Sequence, residues 1–453
     1  MKVQDNLSTS MKTIKNLYFS PFFWTLLIVL VAAFLVSYLF IGLFGLVKLA
    51  TAVAFVVSLT DAFLLFRTEK GVFVRRDVAE RLSNGDPNPI ILYLENRYFF
   101  RVDLEIVDEI PFQFQRRDVL FQTRLAPNET EQLHYDLRPT KRGEYSFGAV
   151  NVFVKSPLGL LKRRYQFAQD KTVAVYPSYL QMRQYELLAI SNRLTEVGIK
   201  RQRRLGHSME FEQIRPYVQG DDFRTVNWKA TARRNELMVN AYQDERSQAV
   251  YCLIDKGRVM KSPFEGLTLL DYAINASLVL SNIALLKQDK AGIITFSEVI
   301  GQLLPADRRT GQMQKILEVL YKQKTRFLES DYQTLYIHVK TQIRQRSLLL
   351  LFTNFETLNA LHRQLPFLRQ LAKNHLLIVV FFENTETAQL LKTPAKTTET
   401  IYLKTIAERF YYEKRRIVKE LEQYGIQSIL TAPHDLNANT VNKYLELKSR
   451  GIL

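Results

Sequence analysis

The amino-acid sequence predicts a membrane-anchored α/β protein with a helical hairpin, an antiparallel β-sandwich and a Rossmann-like α/β domain, in that order. Two long apolar runs lie near the N-terminus, and short alternating runs separated by turn residues follow them. The second half of the chain alternates strongly apolar runs with amphipathic segments. These three patterns are typical of membrane-spanning helices, of sandwich strands and of a parallel sheet covered by helices. A chain of 453 residues has room for two or three such domains.

The composition favours a reducing compartment and acidic partners. Cys252 is the single cysteine, so no intramolecular disulfide can form. The formal net charge of +17 favours nucleic acid, anionic lipid or an acidic protein surface as a partner. Lysines and arginines are spread along the chain and mixed with acidic residues. We therefore expect lipid or protein partners and do not expect nucleic acid.

Residues 22–66 are predicted to form a transmembrane helical hairpin. Residues 22–41 are uncharged and apolar, and a helix needs about 20 residues to cross a bilayer. The run is too long for a signal peptide, and no small-residue cleavage site follows it. Residues 42–47 can form a tight turn, and residues 49–66 carry one charge, Asp61, near their end, where a carboxylate can reach the interface. The alternative is a buried helical hairpin of a soluble protein.

Charged residues around the two apolar runs predict the orientation of the hairpin. Lysines and arginines flank it on both outer sides, whereas the short connection has only Lys48. By the positive-inside rule, residues 1–21 form a cytoplasmic tail, and everything after Arg67 is cytoplasmic too. The predicted location is the inner (cytoplasmic) membrane, with the soluble domains in the cytoplasm. The flanking cations are Lys2, Lys12, Lys15, Arg67, Lys70, Arg75 and Arg76.

Residues 71–176 are predicted to form a β-sandwich, immunoglobulin-like in type. Short runs of apolar alternation are separated by clusters of Gly, Pro, Asn and Asp, which is typical of antiparallel sandwiches. No grouping of catalytic residue types stands out in this region, so we expect a spacer or a docking module. The candidate strands are residues 90–94, 102–107, 131–137, 150–154 and 172–176.

Residues 249–453 are predicted to form the α/β domain, after a linker and a charged segment over residues 177–248. Continuous apolar strands separated by helices predict a parallel sheet covered on both faces, because right-handed connections place helices on each side. The candidate strands are residues 249–254, 292–296, 348–352, 376–382 and 426–430. The candidate helices are residues 181–194, 267–286, 311–322, 332–344, 358–373, 401–424 and 437–448.

The charged segment before this domain contains a dense polar grouping. Asp221, Asp222 and Arg224 lie within four residues of one another, and Trp228 follows Arg224 by one helical turn. Such a grouping suits a network in which carboxylates hold a guanidinium by two parallel hydrogen bonds and an indole covers it. We therefore predict a structural role for these residues.

The same segment carries a family resemblance. The groups Met209-Glu-Phe, Arg215-Pro-Tyr, Gly220-Asp-Asp-Phe-Arg and Asn227-Trp-Lys-Ala-Thr-Ala-Arg resemble the signature of the bacterial family called domain of unknown function fifty-eight. The resemblance implies a membrane-tethered protein with a von Willebrand factor A-like domain and a MoxR-type AAA+ ATPase as partner. The signature residues, with a structural or interaction role, are Glu210, Phe211, Arg215, Tyr217, Gly220, Asp221, Asp222, Arg224, Trp228, Lys229 and Arg233.

A degenerate metal site is the second candidate. Ligands bind beyond the carboxyl ends of parallel strands, where Asp255 and Asn354 are predicted to lie. The resemblance implies that a working site has Asp-x-Ser-x-Ser, whose carboxylate and hydroxyls suit Mg²⁺. Here the run is Asp255-Lys256-Gly257-Arg258-Val259, which lacks both hydroxyls and adds two cations. We therefore expect no cofactor, and treat Mg²⁺ at Asp255 and Asn354 as the alternative.

Several enzyme classes are excluded by absent motifs. The chain has no Gly-x-x-x-x-Gly-Lys-Ser/Thr loop, no Gly-x-Ser-x-Gly and no paired His or Cys spacing for zinc. The leading hypothesis is therefore a membrane-anchored, non-enzymatic protein-interaction module. One alternative is a metal-dependent adhesion module or enzyme that uses Asp255. Another is binding of anionic lipid or nucleic acid through residues 200–204 and Arg233-Arg234.

Overall fold

The computed structural model describes residues 16–116, 120–190, 210–219, 221–243, 247–394 and 397–452. The chain divides into two compact units, Met1–Tyr176 and Pro177–Leu453. The first contains the helical hairpin and a set of β-sheets, and the second contains a mixed α/β sheet. Each unit is described by itself below.

The first unit begins with a short strand and two long apolar helices: β1 (Leu17–Phe19), α1 (Pro21–Leu39) and α2 (Phe44–Arg67). Ser20 caps α1 by accepting a hydrogen bond from the Phe23 amide, and Pro21 suits the first helical position because its missing N–H needs no partner there. The predicted tight turn over residues 42–47 is shorter, because a single 3₁₀ turn at Ile41–Leu43 leads directly into α2.

Among the residues that the structure describes, three helices are long and apolar enough to cross a membrane, and they differ in how much of their surface is buried. In α1 and α2 only 6% and 11% of the most apolar window is buried inside the protein, whereas in Leu269–Leu286 of the second unit 83% is buried. The third helix therefore buries its apolar surface in a protein core. The first two leave theirs exposed, as a membrane anchor requires.

Polar contacts tie α2 to the sheets of the first unit. The Asp61 carboxylate is fully buried and accepts hydrogen bonds from the Ser156 hydroxyl and, at 3.3 Å, from the Leu158 amide. The Tyr98 hydroxyl donates to the Leu65 carbonyl at 2.9 Å. Asp61 was expected to reach the membrane interface, but the loop after residue 155 covers it instead. The single acidic residue of this helix thus holds it against the sheets.

In the described part of the first unit, ten further strands form three sheets together with β1, and every predicted strand lies within one of them. The sheet orders are β1-β10-β9-β5-β6, β2-β4-β7 and β3-β11-β8, and all pairs are antiparallel except β3 with β11. The strands are β2 (Val72–Asp77), β3 (Arg81–Ser83), β4 (Asn88–Asn96), β5 (Val102–Asp108), β6 (Leu120–Leu125), β7 (Thr130–Leu137), β8 (Gly143–Phe147), β9 (Val150–Lys155), β10 (Leu161–Phe167) and β11 (Lys171–Tyr176). The pairing of β1 with β10 places the strand just before α1 in the largest sheet.

A buried ion pair lies inside these sheets. Arg76 Nη1 donates to Asp108 Oδ1 at 2.5 Å, and both side chains are almost fully buried. The Tyr135 hydroxyl also donates to Asp108. Burial raises the pKa of the Asp108 carboxyl, and Arg76 and Tyr135 oppose that rise. Replacing one partner would leave an uncompensated buried charge, which is the costly case for such pairs.

The second unit is built on a six-stranded sheet of order β18-β17-β14-β19-β20-β21. Five strands run parallel, and β18 joins the edge antiparallel to β17. The strands are β14 (Ala249–Asp255), β17 (Lys290–Phe296), β18 (Ile300–Asp307), β19 (Leu348–Phe352), β20 (Leu376–Phe382) and β21 (Gln427–Thr431). Two shorter hairpins consist of β12 (Glu210–Pro216) with β13 (Met238–Gln243) and β15 (Pro263–Phe264) with β16 (Leu267–Thr268). The predicted all-parallel sheet is thus mixed, because a hairpin return supplies its edge.

Nine helices of the second unit lie within the described residues. They are α3 (Tyr179–Ile190), α4 (Trp228–Arg234), α5 (Leu269–Leu286), α6 (Gln312–Tyr321), α7 (Tyr332–Gln342), α8 (Leu358–Asn374), α9 (Thr385–Lys392), α10 (Thr398–Gln423) and α11 (Leu436–Ser449). The predicted linker helix extended to residue 194, and its last four residues lie outside the description. Helix α9 is an element that the sequence patterns did not predict.

Side chains of β14 point alternately into two apolar cores. Val250, Cys252 and Ile254 pack with α5, α6 and α11, and Tyr251 and Leu253 pack with α7, α8 and α10. Helices therefore cover both faces of the sheet, and the carboxyl ends of its strands open at one edge. Burial raises the pKa of the Cys252 thiol to about 12, so this cysteine is packing and is not a nucleophile at neutral pH.

Candidate functional site

The signature segment forms a hairpin whose connection carries most of the signature residues. Strands β12 and β13 pair antiparallel, and a 3₁₀ turn at Phe223–Thr225 and helix α4 lie between them. Asn227 caps α4 by accepting a hydrogen bond from the Ala230 amide at 3.0 Å. Of the predicted signature residues, Gly220 and the side chains of Glu210 and Phe211 lie outside the described part of the structure.

Arg215 and Asp221 form the ion pair that holds this connection. Arg215 Nη1 lies 2.8 Å from Asp221 Oδ2, and Nη2 lies 2.7 Å from Oδ1, so the pair is bidentate. The Val218 amide also donates to Asp221 at 2.9 Å. The Arg215 guanidinium and this amide lower the pKa of the Asp221 carboxyl. The pair clamps the turn between β12 and α4.

The predicted network around Arg224 is wrong. Asp222 accepts a hydrogen bond from the backbone amide of Arg224 at 2.9 Å and so caps the 3₁₀ turn. Its oxygen is therefore used by the backbone and does not hold the Arg224 guanidinium. The other carboxylate, Asp221, pairs with Arg215 six residues earlier, because the chain reverses at residues 218–221. The indole of Trp228 is 70% exposed.

The outer side of this connection is apolar and basic, and we call it the signature surface. It consists of the side chains of Val218, Phe223 and Trp228, which are 60%, 66% and 70% exposed, with three exposed cations. The Phe223 ring packs on Tyr217 with its centroid 5.4 Å away, which fixes its position. The cations are Arg224, Lys229 and Arg233.

The second candidate site is the edge of the large sheet. Asp255 ends β14 and is 1% exposed. Its carboxylate accepts hydrogen bonds from the Gly257 amide at 2.8 Å, the Thr353 hydroxyl at 2.7 Å, the Tyr332 hydroxyl at 3.3 Å and the Ser330 hydroxyl. Burial raises the pKa of Asp255, although all four donors favour its ionised form. Both carboxylate oxygens are thus occupied by protein donors.

The residues at this edge do not fit a magnesium ion. Mg²⁺ requires oxygen ligands in a nearly octahedral arrangement, and Asp255 has no free oxygen to offer. Arg258 pairs with Glu329 at 2.7 Å and not with Asp255. Asn354 follows the neighbouring strand, but its Oδ1 accepts a hydrogen bond from Lys414 at 2.5 Å. Among the residues that the structure describes, no three His, Cys, Asp or Glu side chains group as a metal site.

A cavity of about 300 Å³ opens beside Asn354 at the same edge. Its walls include aromatic side chains, several carboxylates and Lys414 of α10. Burial lowers the pKa of Lys414 to about 8, and Glu356 partly opposes this shift. The lining residues are Ser262, Pro263, Phe264, Leu269, Asn354, Glu356, Phe382, Glu383, Asn384, Glu386, Thr387, Phe410, Tyr411, Lys414, Leu430 and Pro433.

Lys414 is the site residue that the sequence patterns missed. Helix α10 packs on the sheet through a stripe that includes Ala407, Ile417 and Leu421, all buried. Lys414 comes seven residues after Ala407 and seven before Leu421, so it occupies the same helical stripe. A lysine in a buried stripe is unusual, because lysine is almost never fully buried without a partner. This break in the apolar pattern was the signal available from the sequence.

Residues 213–405 match the sequence model of the family described as Protein of unknown function DUF58. The uncharacterized protein YeaD of Bacillus subtilis (strain 168) is 32% identical over 126 residues, which are 27% of this chain and 31% of that protein. The match therefore spans about a third of the relative's length. The family match over residues 213–405 agrees with the resemblance drawn from the signature.

The similarity of this chain to solved structures is low, both in TM-score and in sequence identity. Proximal thread matrix protein 1 from the mussel byssus is 12% identical, with 45% of this chain and 48% of that chain covered and a TM-score of 0.25. A CARDB domain from Pyrococcus furiosus is 14% identical, with 23% of this chain and 86% of that chain covered and a TM-score of 0.16. Neither score carries an argument about function. What the comparisons support is a similarity, over residues 213–405, to a family of unknown function called DUF58.

Proposed function

We propose that this protein is a membrane-anchored interaction module that presents its signature surface to a protein partner, a MoxR-type AAA+ ATPase, in the assembly or activation of other proteins. The observation that carries the proposal is the exposure of Phe223 and Trp228 beside three cations on a clamped turn. Large aromatic side chains and arginine are the residue types that dominate binding energy at protein interfaces.

The clamp supports the same proposal. The bidentate pair between Arg215 and Asp221 fixes the turn that carries Val218 and leads to Phe223. A surface that is ordered before binding loses less entropy when a partner docks. The ion pair is partly exposed and contributes little to global stability. Its role in the proposal is to position the signature surface.

The anchor supports a location at the membrane. Helices α1 and α2 expose apolar side chains along most of their length. With lysines before α1 and arginines after α2, the positive-inside rule puts both soluble units in the cytoplasm, at the inner membrane. In this proposal the second unit acts as the von Willebrand A-like domain of the family resemblance. Its mainly parallel sheet with helices on both faces supports that assignment.

The test is co-purification of the tagged full-length protein from detergent extracts. We expect a MoxR-type AAA+ subunit to be enriched with the unchanged chain. Replacing both rings, Phe223→Ala and Trp228→Ala, should lower this enrichment at least about tenfold, because a hot-spot residue contributes about 2 kcal/mol or more. Phe112→Ala is the matched control, since Phe112 is an 85% exposed ring in the first unit.

Two results would contradict the proposal. One is that no AAA+ subunit is enriched with the unchanged protein. The other is that the double replacement lowers the enrichment no more than Phe112→Ala does. Thermal unfolding of each variant in the same detergent checks that the fold is retained.

A further inference from the structure

The cavity beside Asn354 holds a lysine with few partners. Helix α10 places the Lys414 side chain at the carboxyl ends of β19 and β20, and the side chain is partly buried there. Its ammonium donates to Asn354 Oδ1 at 2.5 Å, and it lies 5.7 Å from the centroid of the Phe381 ring. Within the described residues, Asn354 is its one hydrogen-bond acceptor, and no carboxylate pairs with it within 4.0 Å. A neutral amide is a weak counterpart for a charged amine.

We propose that Lys414 is a covalent binding site for small uncharged aldehydes or ketones, which condense with its amine inside this cavity to form an imine. A lysine that burial has partly desolvated is a usual setting for this chemistry, and here the cavity wall combines aromatic rings with carboxylates. The site is independent of the signature surface and goes beyond the proposed interaction function.

The condensation needs no oxidant, reductant or metal. The lone pair of the neutral amine attacks the carbonyl carbon, and the π electron pair moves to oxygen. Protons shift from nitrogen to that oxygen, which leaves as water while the C=N bond forms. One amine and one carbonyl compound therefore give one imine and one water. Glu356 is the carboxylate that acts electrostatically on Lys414 and lines the same cavity.

The state of the amine supports this assignment. With a pKa of about 8, about a fifth of Lys414 is neutral at pH 7.4, against about one in a thousand for an ordinary lysine. Burial lowers this pKa and Glu356 partly restores it. The titratable groups that line the same cavity are Glu356, Glu383, Glu386 and Tyr411.

The walls of the cavity select the compound. Phe264, Phe382 and Phe410 offer apolar surface to a ring or a short chain, and the volume of about 300 Å³ is at the lower end for small-molecule sites. Glu356 and Glu383 stand on the same walls and repel anions. A compact, uncharged carbonyl compound fits these conditions, and a keto acid does not.

The experiment uses the full-length protein in detergent and two aldehydes that differ by one charge. The protein is incubated with benzaldehyde or with 4-carboxybenzaldehyde, the imine is reduced with cyanoborohydride, and each modified lysine is quantified by mass spectrometry. Lys419 is the internal control, because it is an exposed lysine on the same helix. With benzaldehyde at pH 7.4, we expect Lys414 to react at least about tenfold faster than Lys419, with a midpoint near pH 8.

The charged probe tests the carboxylate walls. With 4-carboxybenzaldehyde, the preference for Lys414 should fall at least about tenfold, and Glu383→Gln should restore part of it. Lys414 reacting no faster than Lys419, or equally with both aldehydes, overturns the proposal. Lys414→Arg removes the product at this position and should leave capture of the AAA+ partner unchanged, so failure of this site and failure of the interaction function are told apart.

Discussion

The sheet edge and the signature hairpin use their aspartates in opposite ways. Asp255 is buried, and protein donors occupy both of its oxygens. Asp221 is partly exposed, and its oxygens accept hydrogen bonds from the Arg215 guanidinium and the Val218 amide. The first arrangement closes the sheet edge to a metal, whereas the second holds apolar side chains out toward solvent. A carboxylate in a charged segment can therefore stabilise the protein interior, or it can hold a surface turn that exposes apolar side chains.

This difference bears on where a partner binds. Both oxygens of the Asp255 carboxylate accept hydrogen bonds from protein donors, so neither is left over for a metal ion. At the signature surface the polar groups are satisfied too, but Phe223 and Trp228 remain uncovered. Unburied aromatic surface is what a protein partner can cover with a gain in free energy. The uncovered rings therefore favour the hairpin over the Asp255 carboxylate as the place where a partner binds, and the experiments below test this difference.

The largest expected effect is on stability at the sheet edge. Asp255→Ala removes the acceptor for the Ser330, Thr353 and Tyr332 hydroxyls and the Gly257 amide. Leaving buried donors unsatisfied should lower the free energy of unfolding by about 3 kcal/mol. Asp221→Ala is the matched control and should change it little, because that ion pair is exposed. Urea unfolding of the full-length protein in detergent measures the free energy of unfolding of both variants. Equal decreases in the two variants would contradict the difference drawn between Asp255 and Asp221.

A smaller and local effect is expected on acidification of the hairpin. The Arg215 guanidinium lowers the pKa of Asp221, so the clamp contributes stability above the ordinary aspartate pKa of about 3.9 and loses it as the pH falls through the lower folded value. In a Trp24→Phe background, the fluorescence anisotropy of Trp228 should stay constant from pH 7 to about 4 and fall below that.

The control for this prediction is Asp221→Asn. It removes the charge of the clamp, so Trp228 should already show the lower anisotropy at pH 7. An unchanged acid transition in this variant would mean that some other group controls the turn. Circular dichroism at each pH separates loosening of the hairpin from global unfolding.

The smallest expected effect is that of magnesium. Since both oxygens of Asp255 accept protein hydrogen bonds, 10 mM MgCl₂ or MnCl₂ should leave the melting temperature of the protein unchanged. A site occupied at 100 times its dissociation constant would add about 2.7 kcal/mol to the free energy of unfolding. A rise in melting temperature that Asp255→Asn abolishes would show that the Asp255 carboxylate is open to a metal ion after all.

Local sequence patterns predicted most helices and strands. The predictions that failed concerned contacts between residues that are brought together by the fold. The apolar run before Asp255 and the one before Asn354 each led to a buried parallel strand. The edge strand β18 was missed because Gly301, Gln302 and Pro305 interrupt its apolar residues, and strand alternation alone cannot show a hairpin return. The partner of Asp221 was misassigned because a reversal of the chain brings Arg215 closer than Arg224. Lys414 was missed because its neighbours come from β19 and β20.

By itself the sequence determined the two long apolar helices near the N-terminus, the apolar strands and the similarity to the DUF58 family, because hydrophobic periodicity and turn residues act over a few neighbouring positions. Only the tertiary structure decided which charges pair, which rings remain exposed and which lysine lies in a cavity. Those outcomes depend on residues brought together from separate strands and helices, as Ser330 and Thr353 are around Asp255. Burial and electrostatic contact are properties of the folded arrangement, so no local pattern contains them.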